Sequence, residues 1–318
     1  MKQEVGESPI IRYGNSLLVY NPCAGKFGNN GSELIGRAVD ILTRQGHNVT
    51  VAPTTGPGTA GSIAREAIGR GADLVLAAGG DGTVNEVVEG MVHSSVPLAV
   101  LPGGTANVLA TEMRLGSRLE RVAARLPDCR PRRVSVGQLT CAGGVTRYFL
   151  LMAGVGLDAQ VVGRVNPRLK ARTGKFAYWV AGWSLLGRRL REFDVAYEVD
   201  GLPAHRRCSF ALLSKVRNYG GDFEIARSVR LFDDQFEMVL FQGDSTLRYV
   251  KYFAGLLLNR VENMKGVAVV RARQATLAAV GEQPVFVQID GELAGRLPAT
   301  IRIVPDALTL MAPPDYGV

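Results

Sequence analysis

The 318-residue chain lacks any apolar run approaching the ~20 residues that cross a bilayer. A charge-free candidate, Phe176–Gly187, has 12 residues and is broken by Gly182 and Ser184. A spanning helix is therefore not expected, and the chain reads as soluble or peripheral. Met1–Tyr13 carries Glu4 and Glu7 with no apolar run before a cleavage site, so it does not read as a signal peptide. Cysteine is scarce, and Cys23, Cys129, Cys141 and Cys208 form neither a CxxC pair nor a zinc-type cluster. Such dispersed thiols fit a reducing, cytoplasmic setting. His47, His93 and His205 are isolated and fit no triad. The phosphate-binding pattern GxxxxGK[ST] is absent, and GxGxxG cannot be read across the Gly79 loop, which follows the third strand pattern.

What is present is glycine and positive charge. There are 38 glycines, and 37 Lys+Arg against 29 Asp+Glu give a formal net charge of +8. A 47% hydrophobic content excludes a disordered chain, and the length suits two domains with cores of their own. The charge alone leaves nucleic acid, anionic membrane and phosphate-bearing small molecules as partners.

Up to about residue 135, short apolar runs alternate with helical patterns. Ser16–Tyr20, Asn48–Ala52, Asp73–Ala78 and Val96–Leu101 read as buried strands, with helices over Ser32–Gln45, Thr59–Arg70 and Val84–Val92 between them. This alternation predicts a parallel sheet with helices on both faces, binding ligands beyond the carboxyl ends of its strands. After Arg130-Pro131-Arg132-Arg133 strands dominate: Val134–Leu139, Thr146–Ala153, Val195–Val199, Cys208–Leu213, Gln235–Phe241, Ala268–Ala272, Gln274–Val280, Val285–Ile289 and Thr300–Val304. Helical stretches Gly174–Leu190 and Ser245–Val261 interrupt them. An antiparallel β-sandwich domain is expected. The division is residues 1–135, which residues 305–318 would complete if the chain returns, and residues 136–304.

Three glycine loops follow three of the first strands: Asn21-Pro22-Cys23-Ala24-Gly25-Lys26, Gly79-Gly80-Asp81-Gly82-Thr83, and Pro102-Gly103-Gly104-Thr105-Ala106-Asn107. Glycine lets backbone approach a phosphate, its N–H groups donate to the oxygens, and a following helix N-terminus adds partial positive charge. Three such loops at one sheet edge exceed what strand-to-helix turns need. Asp81 stands out, because a carboxylate among phosphate-binding amides repels phosphate unless a divalent cation intervenes or it moves a proton. It could also cap the helix starting near Thr83, and the two roles are compatible.

These loops, with Asn85-Glu86 and Gly90, resemble in order and spacing the catalytic domain of the diacylglycerol kinase and sphingosine kinase superfamily. The resemblance runs from about Leu17 to the C-terminal strands. It implies a phosphofructokinase-like α/β domain, a C-terminal sandwich that holds lipid, and ATP- and Mg2+-dependent phosphorylation of a lipid hydroxyl. It further implies nucleotide contacts from Asn21, Gly79, Gly80, Gly82, Thr83, Gly104, Thr105 and Asn107, and from Thr54 or Thr55. Asp81 would hold magnesium through water or accept the substrate proton. In Asp290-Gly291-Glu292, a plausible hairpin turn by itself, the resemblance makes Glu292 an active-site carboxylate. Asp233, in Asp233-Asp234-Gln235-Phe236-Glu237, is a weak metal candidate, since Asp234 stands where relatives have glycine; a solvated acidic turn is the competing reading. Asp158 is a candidate contact for the acceptor head group.

Two positions depart from the family pattern. Many bacterial diacylglycerol kinases have Asp at the places of Val108 and Ser135. The acceptor therefore stays open among diacylglycerol, sphingoid base, ceramide and similar lipids. An NAD kinase-like enzyme and a non-catalytic nucleotide- or lipid-binding regulator are the alternatives. From Val161 to Arg191 there is no Asp or Glu, while eight Arg and Lys residues surround Phe176, Tyr178, Trp179 and Trp183. That composition suits either an anionic membrane surface or a helix packing its aromatics inward. No helix-turn-helix, RRM or zinc pattern accompanies the charge, so nucleic acid is not expected as a partner. Cytoplasmic location with peripheral membrane contact is the expectation, and the family resemblance admits a homodimer.

Overall fold

A computed structural model describes residues 12–157, 159, 190–219, 223–258 and 260–317. Asp158 and nearly all of the basic aromatic stretch Val161–Arg191 lie outside the described residues, as does most of the helix expected over Gly174–Leu190.

The first half follows the alternation in the sequence: β1 Ser16–Tyr20, α1 Gly31–Arg44, β2 Val49–Pro53, α2 Thr59–Gly69, β3 Leu74–Gly79, α3 Asp81–Met91, β4 Pro97–Pro102. Short helices α4 Val108–Glu112 and α5 Leu119–Ala124 follow. The strands pair in parallel in the order β2-β1-β3-β4. β3 and β4 are buried along their whole length, as continuous apolar strands must be when helices cover both faces. Helix α1 buries Ile35, Ala38 and Leu42, one stripe at helical spacing. Helices α2 and α3 touch backbone to backbone, because a Cβ on Gly90 would lie 2.1 Å from the Gly61 carbonyl oxygen.

The second half comprises β5 Arg130–Cys141, β6 Thr146–Phe149, β7 Met152–Gly156, β8 Phe193–Val199, β9 Leu202–Cys208, β10 Phe210–Ser214, β11 Asn218–Tyr219, β12 Phe223–Glu224 and β13 Phe236–Phe241. After these come α6 Thr246–Leu257, β14 Val267–Ala272, β15 Gln274–Ala279, β16 Phe286–Ile289, β17 Glu292–Arg296 and β18 Ala299–Ala312. Strands β14-β13-β10-β7-β16-β17 form one antiparallel sheet. The other layer continues the parallel sheet. Strand β18 pairs with β5 along most of its length, with β15 at Ala299–Arg302 and, in parallel, with β4 at Thr309–Leu310. A bulge between Val304 and Leu308, with Asp306 at φ 49, separates these pairings. The sandwich core draws Leu139, Phe149, Val195 and Ile301 from one sheet and Val155, Leu213, Met238 and Val287 from the other.

Three expectations change. The segment Thr146–Ala153 is two strands in different sheets, broken at Leu150-Leu151. Thr300–Val304 is part of a 14-residue strand shared by both halves. Helix α3 starts at Asp81, three residues before the apolar periodicity begins.

Candidate active site

The topology fixes where a ligand can sit. From β1 the chain crosses to β2 on one side, whereas β3 continues to β4 on the other, so β1 and β3 flank a switch point. Beyond the carboxyl ends of these strands the three glycine loops meet. The Asn21 backbone N–H donates to the Ala78 carbonyl at 3.1 Å, and Gly103 and Gly104 donate to the Gly79 carbonyl at 2.8 and 3.1 Å. Lys26 N–H donates to the Gly103 carbonyl at 3.0 Å. Two glycines are required by this contact as such. A Cβ on Gly104 would lie 2.4 Å from Gly80 Cα, and one on Gly103 would lie 2.5 Å from the buried Phe27 ring. The glycine content is thus partly packing, and the Gly103 and Gly104 amides hold the loops to one another.

Side chains tie the loops further. Asn21 Nδ2 lies 3.4 Å from Thr83 Oγ1, and Asn21 Oδ1 accepts from Cys23 N–H. Asn107, left-handed at φ 46, closes its own loop through both amide atoms onto Gly104, each at 2.8 Å. Gly25 approaches Thr105, whose Oγ1 would be 3.1 Å from a Cβ there. Thr54 N–H donates to the Tyr20 carbonyl at 2.8 Å, so the Thr54-Thr55 loop borders the same crevice. Glu86, on α3, accepts from Gly58 N–H at 2.7 Å and Ala60 N–H at 3.0 Å. It satisfies donors at the α2 N-terminus and fixes the Thr54-Thr55 loop to the Asp81 helix. The sequence reading gave Glu86 no such role.

Carboxylates arrive from both sheets. Asp81 does not cap its own helix; its Oδ1 accepts from Leu109 N–H at 3.4 Å at the start of α4. Glu292 opens β17 and lies against Gly82, where a Cβ would be 2.7 Å from its Oε1. Glu292, from the second half, thus lies against the residue that follows Asp81, from the first. Near them stands a group the sequence reading took only as part of a turn. The Asp290 carboxylate accepts the N–H groups of Leu150, Leu151 and Met152 at 3.0, 3.1 and 2.8 Å, spanning the break between β6 and β7. With its amide turned, Asn85 of α3 donates to Asp290 Oδ2 at 3.0 Å. Burial pushes the Asp290 carboxyl up to about 7; the three N–H donors oppose the rise and the charge of Asp81 adds to it. No local sequence pattern pairs Asp290 with residues 138 to 140 positions away.

Among the described residues no three His, Cys, Asp or Glu side chains are grouped to cage a metal. A hard cation held by one or two carboxylates plus phosphate oxygens and water would fit this donor set. Asp233 does not fit a metal site. Its carboxylate accepts from Arg271 at 2.6 Å and from Arg230 N–H, and its carbonyl accepts from the buried ammonium of Lys215 at 2.8 Å. Lys215 also donates to Ser135 Oγ at 2.7 Å, and burial pulls its pKa down to about 8. Cationic groups thus occupy the surroundings expected to attract a cation. The departures have structural counterparts: Val108 is in the main core, and the Ser135 hydroxyl serves Lys215.

Comparison with known proteins agrees with this arrangement. The model of the diacylglycerol kinase catalytic domain matches residues 15–139. That of the YegS C-terminal NAD kinase beta sandwich-like domain matches residues 152–312. The diacylglycerol kinase of Staphylococcus haemolyticus is 26% identical over 304 residues, 94% of this chain and 88% of that protein. That of Mycobacterium tuberculosis is 27% identical over 249 residues, 78% of this chain and 79% of that protein. A solved structure of a diacylglycerol kinase from Bacillus anthracis str. Sterne has a TM-score of 0.72 at 21% identity, covering 95% of this chain and 98% of that one. At that identity the likeness speaks for the fold.

Proposed function

Since the chain belongs to the diacylglycerol kinase family, a family of lipid kinases, we propose that it transfers the γ-phosphate of ATP to a lipid hydroxyl. The observation that carries this reading is the approach of Glu292, from the second half, to Gly82 beside Asp81, where three glycine loops meet. In this reading residues 1–135, completed by 305–318, hold the nucleotide, and residues 136–304 receive the lipid. Magnesium, when bound, supplies charge neutralisation between Asp81 and the phosphates. The loop amides of Gly80 and Gly82 and the hydroxyls of Thr83 and Thr105 position the phosphates, with Asn21, Gly79, Gly104, Asn107 and the Thr54-Thr55 loop shaping their cradle. Glu292 accepts the acceptor hydroxyl's proton as the oxygen attacks. Asp290 holds the hairpin that presents Glu292.

Loss of carboxylates at positions 108 and 135 removes acidic groups while the loops stay intact, which leaves the acceptor the open variable. Labelled ATP offered with diacylglycerol, a sphingoid base, ceramide and monoacylglycerol tests the proposal. Label should enter the organic phase with one of them and disappear in Asp81→Ala with the fold intact. The C-terminal likeness to an NAD kinase sandwich supports one competing reading, for which the label would appear in NADP. The dispersed thiols support a cytoplasmic location, and a lipid acceptor with the net charge of +8 supports contact with an anionic membrane.

A further inference from the structure

Helix α6 has one anchored face and one outward face. Inward, Tyr249 and Tyr252 pack on Phe241 with ring centroids at 6.2 and 5.3 Å, and the Tyr252 hydroxyl donates to the Gln242 carbonyl at 3.0 Å. Gly255 lies against Met264, whose Sδ would be 2.1 Å from a Cβ there. Outward, Val250, Ala254 and Leu258 form an i, i+4, i+8 ridge in solvent. Val250 is 50% exposed and Leu258, the cap residue, 68%. Arg248, Lys251 and Arg260 are exposed around that ridge. No Asp or Glu occurs between Asp244 and Glu262, and Glu262 is itself paired with Arg227 at 3.7 Å.

Single exposed apolar residues need no explanation. Here an apolar ridge coincides with exposed cations on a helix that itself carries no carboxylate, a combination that water alone does not reward. We propose that this face of α6 docks the protein on an anionic lipid bilayer. The apolar ridge would enter the acyl boundary while the cations meet anionic head groups.

Its place in the fold supports this occupant. Strand register puts Gly156, Phe210 and Phe241 at one end of the antiparallel sheet, and the chain enters α6 from there. The basic, acid-free sequence Val161–Arg191 re-enters the described fold at that same end, where Leu190 N–H donates to the Asp244 carbonyl at 2.8 Å. The Asp290 clamp grips the other end of β7, at Met152. The four residue steps between these ends span about 13 Å. A lipid acceptor could thus hold its hydroxyl near Glu292 while its chains run toward the docked end.

The inference rests on the lipid-kinase reading for its purpose, and its test separates the two. Flotation with vesicles of phosphatidylcholine alone, and of phosphatidylcholine with phosphatidylglycerol, should show binding to the mixed vesicles only. Leu258→Asp should lower that partitioning at least tenfold, and Lys251→Ala about fivefold. Both variants should phosphorylate a detergent-dispersed acceptor as the wild type does. Vesicle binding unchanged in both variants, or absent in the wild type, overturns the proposal. So does a dimer seen by sedimentation that Leu258→Asp dissociates without change in flotation, which would assign the face to a second copy. Variant-sensitive flotation without phosphorylation of any dispersed lipid would uphold the docking face and overturn the kinase reading instead.

Discussion

The two walls of the candidate active site are built from opposite materials. The wall at the switch point is backbone: glycines so close that a single methyl would collide. The facing wall is the β16–β17 hairpin, which brings the carboxylates of Asp290 and Glu292. Amides hold anions without proton exchange, whereas carboxylates hold cations and take protons. In the proposed reading the contrast gives phosphate binding to one half and proton handling to the other. Asp81 is the exception, a carboxylate planted in the glycine-loop wall next to the Gly82 that Glu292 approaches.

The largest effects should come from the carboxylates. Glu292→Gln should lower kcat about a thousandfold while leaving KM for ATP nearly unchanged, since the group belongs to the lipid wall. Asp81→Ala should lose turnover at least as severely. A Glu292→Gln enzyme with normal kcat but a raised KM for ATP would erase the division between the walls.

Next comes the amide wall. Gly104→Ala sets a methyl against Gly80 backbone, which has no flexible end to yield, so the loops must part. ATP binding should weaken at least tenfold, with stability lowered by about 1–3 kcal/mol. Gly56→Ala, where a Cβ meets open space, is the matched control and should bind ATP normally. Equal behaviour of the two variants in isothermal titration would show that loop contact is not what shapes the cradle.

Asp290 gives a pH signature. Its carboxyl sits at about 7 in the folded chain, against an ordinary value near 4 when unfolded. The native state therefore keeps a proton that the unfolded state releases between those values. Stability from this group is fully present below about pH 4 and is lost as pH rises through about 7. Thermal melts of wild type and Asp290→Asn across that range should show a fall in the wild type that the variant lacks. Parallel melting curves would remove Asp290 as the source. The smallest effect is expected at Glu86. Glu86→Gln keeps one acceptor for the α2 N–H groups but drops the charge, which should raise KM for ATP a few-fold and cost about 1 kcal/mol.

Legibility in the sequence followed the range of the interactions. The three loops were readable because each is a contiguous string whose glycines follow directly on an apolar strand. The parallel order was readable from the alternation, since strand–helix–strand units admit few arrangements. The start of α3 was misplaced by three residues because Asp81-Gly82-Thr83 has no apolar periodicity, although its backbone already turns as helix. The break in Thr146–Ala153 was hidden for a different reason. Leu150 and Leu151 look like strand residues, and what breaks the strand is a carboxylate far away in the chain. Lys215 was equally silent, because a buried lysine is unusual for its type and its partners Ser135 and Asp233 lie in separate segments.

By itself the sequence determined the local grammar of this protein: where most of the strands lie, where their loops carry glycine, and where Asp81 interrupts them. Backbone preference and hydrophobic period act over a few residues, so they are written in order along the chain. Only the tertiary structure decided that Glu292 meets Gly82, that Asp290 clamps the β6–β7 break, and that β18 binds both halves into one sheet. Those outcomes depend on burial and strand register between distant segments. Such interactions acquire a definite geometry only when the whole chain has packed.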